Sequence, residues 1–142
     1  MLQDTAEVVE GFEIPPFSRE ANLHAFNRYA AVNDEFVDIH MDDEAGRAAG
    51  YPGAFGMGNL TFAWMHCLLR DWLGDDGRIV RINCQFRGPA LRGDTVTCRG
   101  TVTRVYDEDG AQMADLDVWS ENQHGEKTTP ATATVTFARS GG

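Results

Sequence analysis

Two side chains between residues 33 and 41 are suited to proton transfer. Glu35 carries a carboxylate, and His40 carries an imidazole five residues further along the same predicted loop. A carboxylate and an imidazole that contact one water can remove a proton from it and deliver a proton to a neighbouring carbon. This segment is therefore the first place in the chain where general acid–base chemistry is expected.

A glycine-rich turn follows this loop and opens a long apolar segment. Gly56 and Gly58 flank Met57, and a helical apolar pattern runs over residues 58–73. The backbone N–H groups at a helix start have no intrahelical partner and carry partial positive charge. Glycine lets a ligand approach the backbone closely. Gly58 is therefore suited to stabilise negative charge on a carbonyl oxygen.

Three helices are predicted around these stretches. Ser18 is a good N-cap for a helix over residues 22–31, and Asp42 caps a short helix over 43–49. The segment 58–73 is apolar almost all round, which is typical of a helix that is buried on most sides. Its few polar residues form one stripe, namely Asn59, His66 and Arg70.

After Gly77 the apolar period changes to two, which predicts four half-buried antiparallel strands. The residues predicted to face inward are Val80, Ile82, Cys84 and Phe86, then Val96, Cys98, Gly100 and Val102, then Ala114, Leu116 and Val118, then Ala131, Ala133, Val135 and Phe137. Together with the buried helix, they predict an α+β fold in which an antiparallel sheet wraps around one long central helix. We expect one domain over residues 1–142.

Composition limits the class of partner and compartment. The net charge of −10 argues against a nucleic-acid or anionic-membrane surface, and no apolar run reaches the length of a membrane span. The acidic balance still permits a local basic pocket for a phosphorylated ligand, for which Arg81, Arg87 and Arg92 are the nearest basic residues. The three cysteines are odd in number and lie in apolar patterns, which predicts reduced thiols in a cytoplasmic protein.

The order and spacing of these residues carry a family resemblance. Residues 33–40 read Asn-Asp-Glu-Phe-Val-Asp-Ile-His, and Gly50-Tyr51 and 55–59, Phe-Gly-Met-Gly-Asn, follow a short helix. A Pro and a Gly-Asp lie between two strands, within residues 86–95. The chain thus resembles the MaoC-like hydratases/dehydratases of the hot-dog fold, the family that includes R-specific enoyl-CoA hydratases. The fragment 35–40 is also similar to the catalytic subunit of two-subunit steroid enoyl-CoA hydratases.

The resemblance implies reversible addition of water to a trans-2-enoyl thioester, carried by coenzyme A or a carrier protein. It makes Glu35 and His40 the acid–base residues and Gly58 the oxyanion donor, with no metal and no further cofactor. It also implies a homodimer, or a heterodimer with a similar chain. The predicted substrate contacts are Asp34, Asn59, His66, Arg81 and Arg87.

The sequence departs from the family pattern at the carboxylate. Glu35 occupies the position of the usual aspartate, and Asp34 is the alternative catalytic carboxylate, although its spacing to His40 is then six. Two other functions remain open. A thioesterase would use a carboxylate to activate water without needing His40 beside it, and a non-catalytic subunit would explain the exchange of Asp for Glu.

Overall fold

The structure is a computed structural model and describes residues 8–137. Three α-helices are present in this range: α1 Leu23–Asn33, α2 Asp43–Ala48 and α3 Gly58–Leu73. Five strands are present in the same range: β1 Phe17–Glu20, β2 Gly77–Cys84, β3 Thr95–Glu108, β4 Ala111–Glu121 and β5 Lys127–Phe137. They form one antiparallel sheet with the order β1-β3-β4-β5-β2.

Helix α3 forms the centre of the hydrophobic core, as its all-round apolar pattern predicts. Met65, Leu68, Leu69 and Leu73 are 1% exposed or less. They belong to one cluster with inward-facing sheet residues such as Val102, Leu116, Val118 and Val135. Burying a Leu side chain contributes about 1.5–3 kcal/mol, so this row of contacts fixes the helix against the sheet. The predicted α+β fold, a sheet curled around a central helix, is confirmed.

The long hairpin of β3 and β4 follows the predicted alternation. Val96, Cys98 and Val102 are buried on β3, and Leu116 and Val118 are buried on β4. The connecting turn places Asp109 at φ 52° and Gly110 at φ 81°. A two-residue turn with both φ values positive matches the twist of the flanking strands, which explains the Asp-Gly pair.

The start of the chain differs from the prediction in two ways. Ser18 is not a helix cap, because it lies in β1, where it pairs with Thr97 of β3. Helix α1 is capped by Asn22, whose side chain accepts a hydrogen bond from the Ala25 N–H at 2.9 Å. The predicted set of four strands is therefore incomplete, since the short β1 adds an edge to the sheet. Four residues are too few to give a clear period-two pattern.

Strand β2 also departs from strict alternation. The register shifts between Ile79 and Arg81, and Val80 is left 44% exposed, so its predicted inward position is wrong. A bulge adds one residue to a strand and reverses the faces of the residues on one side of it. The strand ends at Cys84, and Phe86 beyond it is 54% exposed, so Phe86 is not an inward strand residue either.

The cysteines are unbridged, as predicted. Cys98 is buried on β3, whereas Cys67 and Cys84 are half-buried. Burial raises the pKa of the Cys98 thiol to about 12, which keeps it protonated and unreactive near neutral pH. Within residues 8–137, no helix has the length and apolar content needed to cross a bilayer.

Candidate active site

His40 ends a single 3-10 turn, Asp38–His40, and its ring is almost entirely covered. The residue is 9% exposed, and its Nδ1 lies 2.7 Å from the carbonyl oxygen of Phe55. A carbonyl oxygen can only accept a hydrogen bond, so Nδ1 carries the ring proton in the neutral imidazole. Nε2 is then the basic nitrogen, free to accept a proton from a bound water.

A cavity of about 240 Å³ brings His40 together with the start of α3. His40 and Gly58 both line it, although they lie 18 residues apart in the sequence. The other lining residues are Tyr51, Phe55, Gly56, Thr61, Phe86, Arg87, Gly88, Pro89, Ala90 and Thr129. The cavity thus combines a base with the N-terminus of a helix, which is a site for developing negative charge.

Gly58 is the first residue of α3, and no side chain caps this end of the helix. Met57 precedes it in an extended conformation, φ −64° and ψ 139°, and makes no side-chain capping bond. A Cβ built on Gly58 would lie 2.9 Å from Cδ1 of Phe86. A side chain at this position would therefore displace either the Phe86 ring or the start of α3.

Glu35 and Asp34 lie at the end of α1, outside the set of residues that line the His40 cavity. Asp34 adopts a left-handed conformation, φ 51°, and its N–H closes the helix on the carbonyl of Ala30. The half-buried Glu35 accepts a hydrogen bond from the Asn33 amide at 3.1 Å. Burial, and secondly the charge of Glu35, raise the pKa of Tyr29. The catalytic roles of Glu35 and Asp34 stay predictions.

The two predicted substrate contacts on α3, Asn59 and His66, lie outside the lining of the His40 cavity. Asn59 is exposed at the second position of the helix. His66 lies two turns further along, and its Nδ1 is 2.8 Å from the carbonyl oxygen of Phe62. Neither residue lines the cavity with His40. The geometry of His66 is that of a helix residue hydrogen-bonded to its own helix.

The three basic residues near the site differ in their environment. Arg87 lines the cavity, and its guanidinium donates to Gln85 Oε1 at 2.9 Å. Arg81 is exposed on β2 and lies outside the cavity lining. Arg92 forms an ion pair with Asp43 of α2. Of these three cations, only Arg87 is placed to contact a ligand in the cavity.

Sequence reasoning missed several side chains of the cavity, among them Thr61, Thr129 and Phe86. Thr61 is 5% exposed and lies one turn after Gly58, so the i, i+3 spacing on one helix face could have found it. Thr129 is 1% exposed and reaches the cavity because the N–H groups of Arg87 and Gly88 donate to Thr128. Phe86 was assigned to a strand face. The pairing that brings Thr129 and the 86–88 segment together leaves no local sequence signal.

The described residues offer no obvious metal site. Between residues 8 and 137, no three His, Cys, Asp or Glu side chains come together as a possible ligand set. The polar groups of the lining residues are the imidazole of His40, the hydroxyl groups of Tyr51, Thr61 and Thr129, the guanidinium of Arg87 and the N–H groups at the start of α3.

Comparison with known proteins identifies the family. The family described as MaoC like domain matches residues 17–137. The chain belongs to this family. Among proteins of curated function, none matches the sequence. The MaoC-like hydratase/dehydratase family has the hot-dog fold, so the sequence resemblance and the fold agree.

Solved structures extend the likeness over nearly the whole MaoC-like domain. The ChsH1–ChsH2 complex from Mycobacterium tuberculosis contains a chain that is 25% identical, with a TM-score of 0.81, covering 92% of this chain and 98% of that chain. R-hydratase PhaJ1 from Pseudomonas aeruginosa is 16% identical, with a TM-score of 0.85 and coverages of 94% and 84%. The (R)-hydratase from A. caviae involved in PHA biosynthesis is 21% identical, with a TM-score of 0.83 and coverages of 92% and 97%. The last two likenesses show the fold.

Proposed function

We propose that this MaoC-like domain catalyses the reversible hydration of a trans-2-enoyl thioester. The observation that carries the proposal is the pairing, in one cavity, of His40 with the uncapped start of α3 at Gly58. The hydrogen bond from Nδ1 to the Phe55 carbonyl orients the ring and leaves Nε2 as the base. A general base and an oxyanion donor are two of the functions that hydration requires, beside the delivery of a proton to C2.

The proposed reaction uses the two groups in sequence. His40 Nε2 takes a proton from water as the water oxygen forms its bond to C3. The electron pair of the C2–C3 double bond moves toward the thioester, and the negative charge on its oxygen is met by the Gly58 N–H. A carboxylate that contacts the same water takes up this proton from the imidazolium and delivers it to C2, so water is added without a net change in protons and both groups return to their starting states. We assign this second transfer to Glu35, with Asp34 as the alternative.

The placement of Glu35 favours a second candidate function, a non-catalytic subunit of a two-chain hydratase. The Glu35 carboxylate accepts a hydrogen bond from the Asn33 amide, and Glu35 does not line the His40 cavity. The similar chain in the ChsH1–ChsH2 complex comes from a two-chain assembly. In this alternative a partner chain supplies the complete acid–base pair.

An ultraviolet assay on crotonyl-CoA with simultaneous detection of free thiol tests the proposal. Loss of the enoyl absorbance without thiol release supports hydration, and the His40→Ala protein, purified in parallel, controls for contaminating hydratase. Thiol release would instead identify a thioesterase. If the enoyl absorbance and the thiol signal both stay constant while CoA binds, the subunit function replaces the hydratase.

We propose that coenzyme A carries the acyl group and that Arg87 contacts it. Arg87 lines both the His40 cavity and a neighbouring groove of about 510 Å³ on β2, β4 and β5. The groove also contains Lys127, whose Nζ lies 4.5 Å above the ring centroid of Trp119. These two cations lie in a chain of net charge −10, where phosphate groups need a local positive patch.

Arg87→Glu is expected to raise the KM for crotonyl-CoA about tenfold, the effect of losing one charge-assisted hydrogen bond of about 1.5 kcal/mol. The KM for crotonyl-pantetheine, which lacks the nucleotide phosphates, should stay unchanged. Arg104→Glu is the matched control, because Arg104 is exposed on β3 and lies outside the cavity, the groove and the β2 edge. Equal effects of the two variants on KM would remove Arg87 from the CoA site.

We further propose that the domain works as a dimer, with itself or with a similar chain. Strand β2 is an edge of the sheet, and within residues 8–137 it pairs only with β5. Its bulge leaves Val80 44% exposed beside Arg81. An unpaired edge with apolar surface is a template for another strand. Sedimentation velocity at low micromolar concentration should give a dimer, whereas an active monomer would contradict the proposal.

A further inference from the structure

The backbone segment 54–56 holds the acceptor that orients His40. The Phe55 N–H donates to the carbonyl of Ile39 at 3.2 Å, and the Gly56 N–H donates to that of Ala90 at 2.7 Å. The segment is thus hydrogen-bonded to the loop that carries His40 on one side and to the loop before β3 on the other. Because His40 Nδ1 donates to the Phe55 carbonyl, the position of this segment sets the position of the ring.

Asp43 bonds to this segment from α2. Its Oδ1 accepts a hydrogen bond from the Ala54 N–H at 3.0 Å, and its Oδ2 pairs with the guanidinium of Arg92. The backbone N–H of Arg92 in turn donates to the Ala54 carbonyl at 3.1 Å. One carboxylate therefore connects α2, the segment 54–56 and the loop before β3, at the residue adjacent to the acceptor of His40.

The packing of α2 leaves little freedom for these groups. A Cβ built on Gly46 would collide with the Gly53 backbone carbonyl, and one built on Gly53 would lie 2.8 Å from Asp43 Oδ1. The hydrogen bond from Ala54, and to a smaller extent the charge of Arg92, lower the pKa of Asp43. Because the pKa is lowered in the folded state, this carboxylate stabilises the fold at pH values above its unfolded pKa. The stabilisation is lost as the pH falls from the unfolded pKa through the lower folded pKa.

We infer that Asp43 is a positioning residue for His40: it fixes Ala54, so that the neighbouring Phe55 carbonyl holds the proton on Nδ1 and Nε2 faces the cavity. The catalytic consequence rests on the proposed hydratase function, whereas the effect on the ring does not. The alternative is a purely structural role, in which Asp43 only stabilises the first turn of α2 through the helix dipole. Asp42 separates the two explanations. It caps the same helix by accepting from the Ala45 N–H at 3.1 Å, and it makes no hydrogen bond to the segment 54–56.

The test measures the tautomer of His40 by 15N NMR at a pH where the imidazoles are neutral. His66 is an internal reference, because its Nδ1 also donates to a carbonyl, that of Phe62, within α3, whereas the hydrogen bonds of Asp43 go to Ala54 and Arg92. In the starting protein both rings should carry the proton on Nδ1. In Asp43→Ala, His40 should shift toward a mixture with the Nε2–H form, while His66 stays unchanged.

Three further variants make the result specific. Asp43→Asn keeps an oxygen that accepts from the Ala54 N–H, so it should restore the His40 tautomer. Asp42→Ala should leave that tautomer unchanged although it weakens α2. If Asp43→Ala fails to fold, Asp43→Ser takes its place, since serine suits a helix start but its hydroxyl is one bond too short to reach Ala54 as the carboxylate does.

The kinetic measurement separates this inference from the proposed function. Asp43→Ala should lower kcat on crotonyl-CoA at least about tenfold, because small displacements of a catalytic group are costly, with little change in KM. An unchanged His40 tautomer in Asp43→Ala, or an equal change in Asp42→Ala, would overturn the positioning role. A shifted tautomer in a protein that hydrates no thioester would retain the positioning role and reject the hydratase function.

Discussion

His40→Ala is expected to lower kcat for hydration by about a hundredfold to ten-thousandfold, the usual contribution of a general acid–base group. Nε2 is the base of the cavity in the proposed mechanism, and alanine leaves nothing to take the proton from water. The Phe55 carbonyl also loses the donor that lies 2.7 Å away. We therefore expect a loss of about 1–3 kcal/mol in the free energy of unfolding. Turnover on the best enoyl-CoA and melting temperatures measure the two effects separately.

Glu35→Gln is expected to be as damaging to turnover, while the melting temperature changes little. Glutamine keeps the volume of Glu35 and can still bond to Asn33, but it cannot carry the proton that C2 requires. The double variant with His40→Ala should be hardly worse than either single variant, because residues that act as a unit on one water are not additive. Glu35→Asp should also lose activity, because a shift of about 1 Å can cost about a hundredfold.

Asp34→Asn is the matched control for the assignment of the carboxylate. Asp34 is the residue before Glu35 and is exposed at the end of α1. Near-full activity of Glu35→Gln together with an inactive Asp34→Asn would transfer the catalytic role to Asp34. An inactive starting protein in which Glu35→Asp gains hydration would identify the chain as the non-catalytic subunit.

Gly58→Ala is expected to lower kcat about a hundredfold. The new methyl group would displace either the Phe86 ring or the N–H proposed as the oxyanion donor, and a displacement of about 1 Å at a catalytic group can cost that much. A Cβ at this position would lie 2.9 Å from Cδ1 and 3.0 Å from Cε1 of Phe86. Either the ring or the start of α3 must move, and the N–H at this position is the one assigned to the thioester oxygen. Steady-state kinetics on crotonyl-CoA measure the loss.

The aromatic ring provides a direct check of this explanation. Leucine at position 86 has no ring edge against Gly58, so the double variant Gly58→Ala/Phe86→Leu should recover part of the lost activity. Gly88→Ala is the control for adding a methyl group to the same cavity, because its Cβ would meet Thr128 Cγ2 at an ordinary 3.6 Å. Equal losses in Gly58→Ala and Gly88→Ala would show that the start of α3 has no special role.

The sequence by itself determined the elements that have a local signal. The apolar period of α3, the cap at Asp42 and the Asp-Gly turn at 109–110 each depend on residues within a few positions of one another. The candidate pair Glu35 and His40 was found in the same way, from the order and spacing of residues in one loop. Local periodicity also predicted the helix at the centre of the sheet, because a helix that is apolar all round must be buried.

Only the tertiary structure decided which groups share a cavity. His40 meets Gly58, Phe86 and Thr129 there because the segments that carry them are bonded across long stretches of the sequence. The bulge in β2 and the edge strand β1 depend likewise on their partner strands. The pairing of Glu35 with His40 was predicted from their spacing and from the family resemblance, and it stays a prediction. The structure shows the Glu35 carboxylate accepting a hydrogen bond from the Asn33 amide, just after the left-handed turn at Asp34. A five-residue spacing in a loop limits the distance between two side chains but leaves their directions undetermined, since each φ/ψ pair can turn the chain.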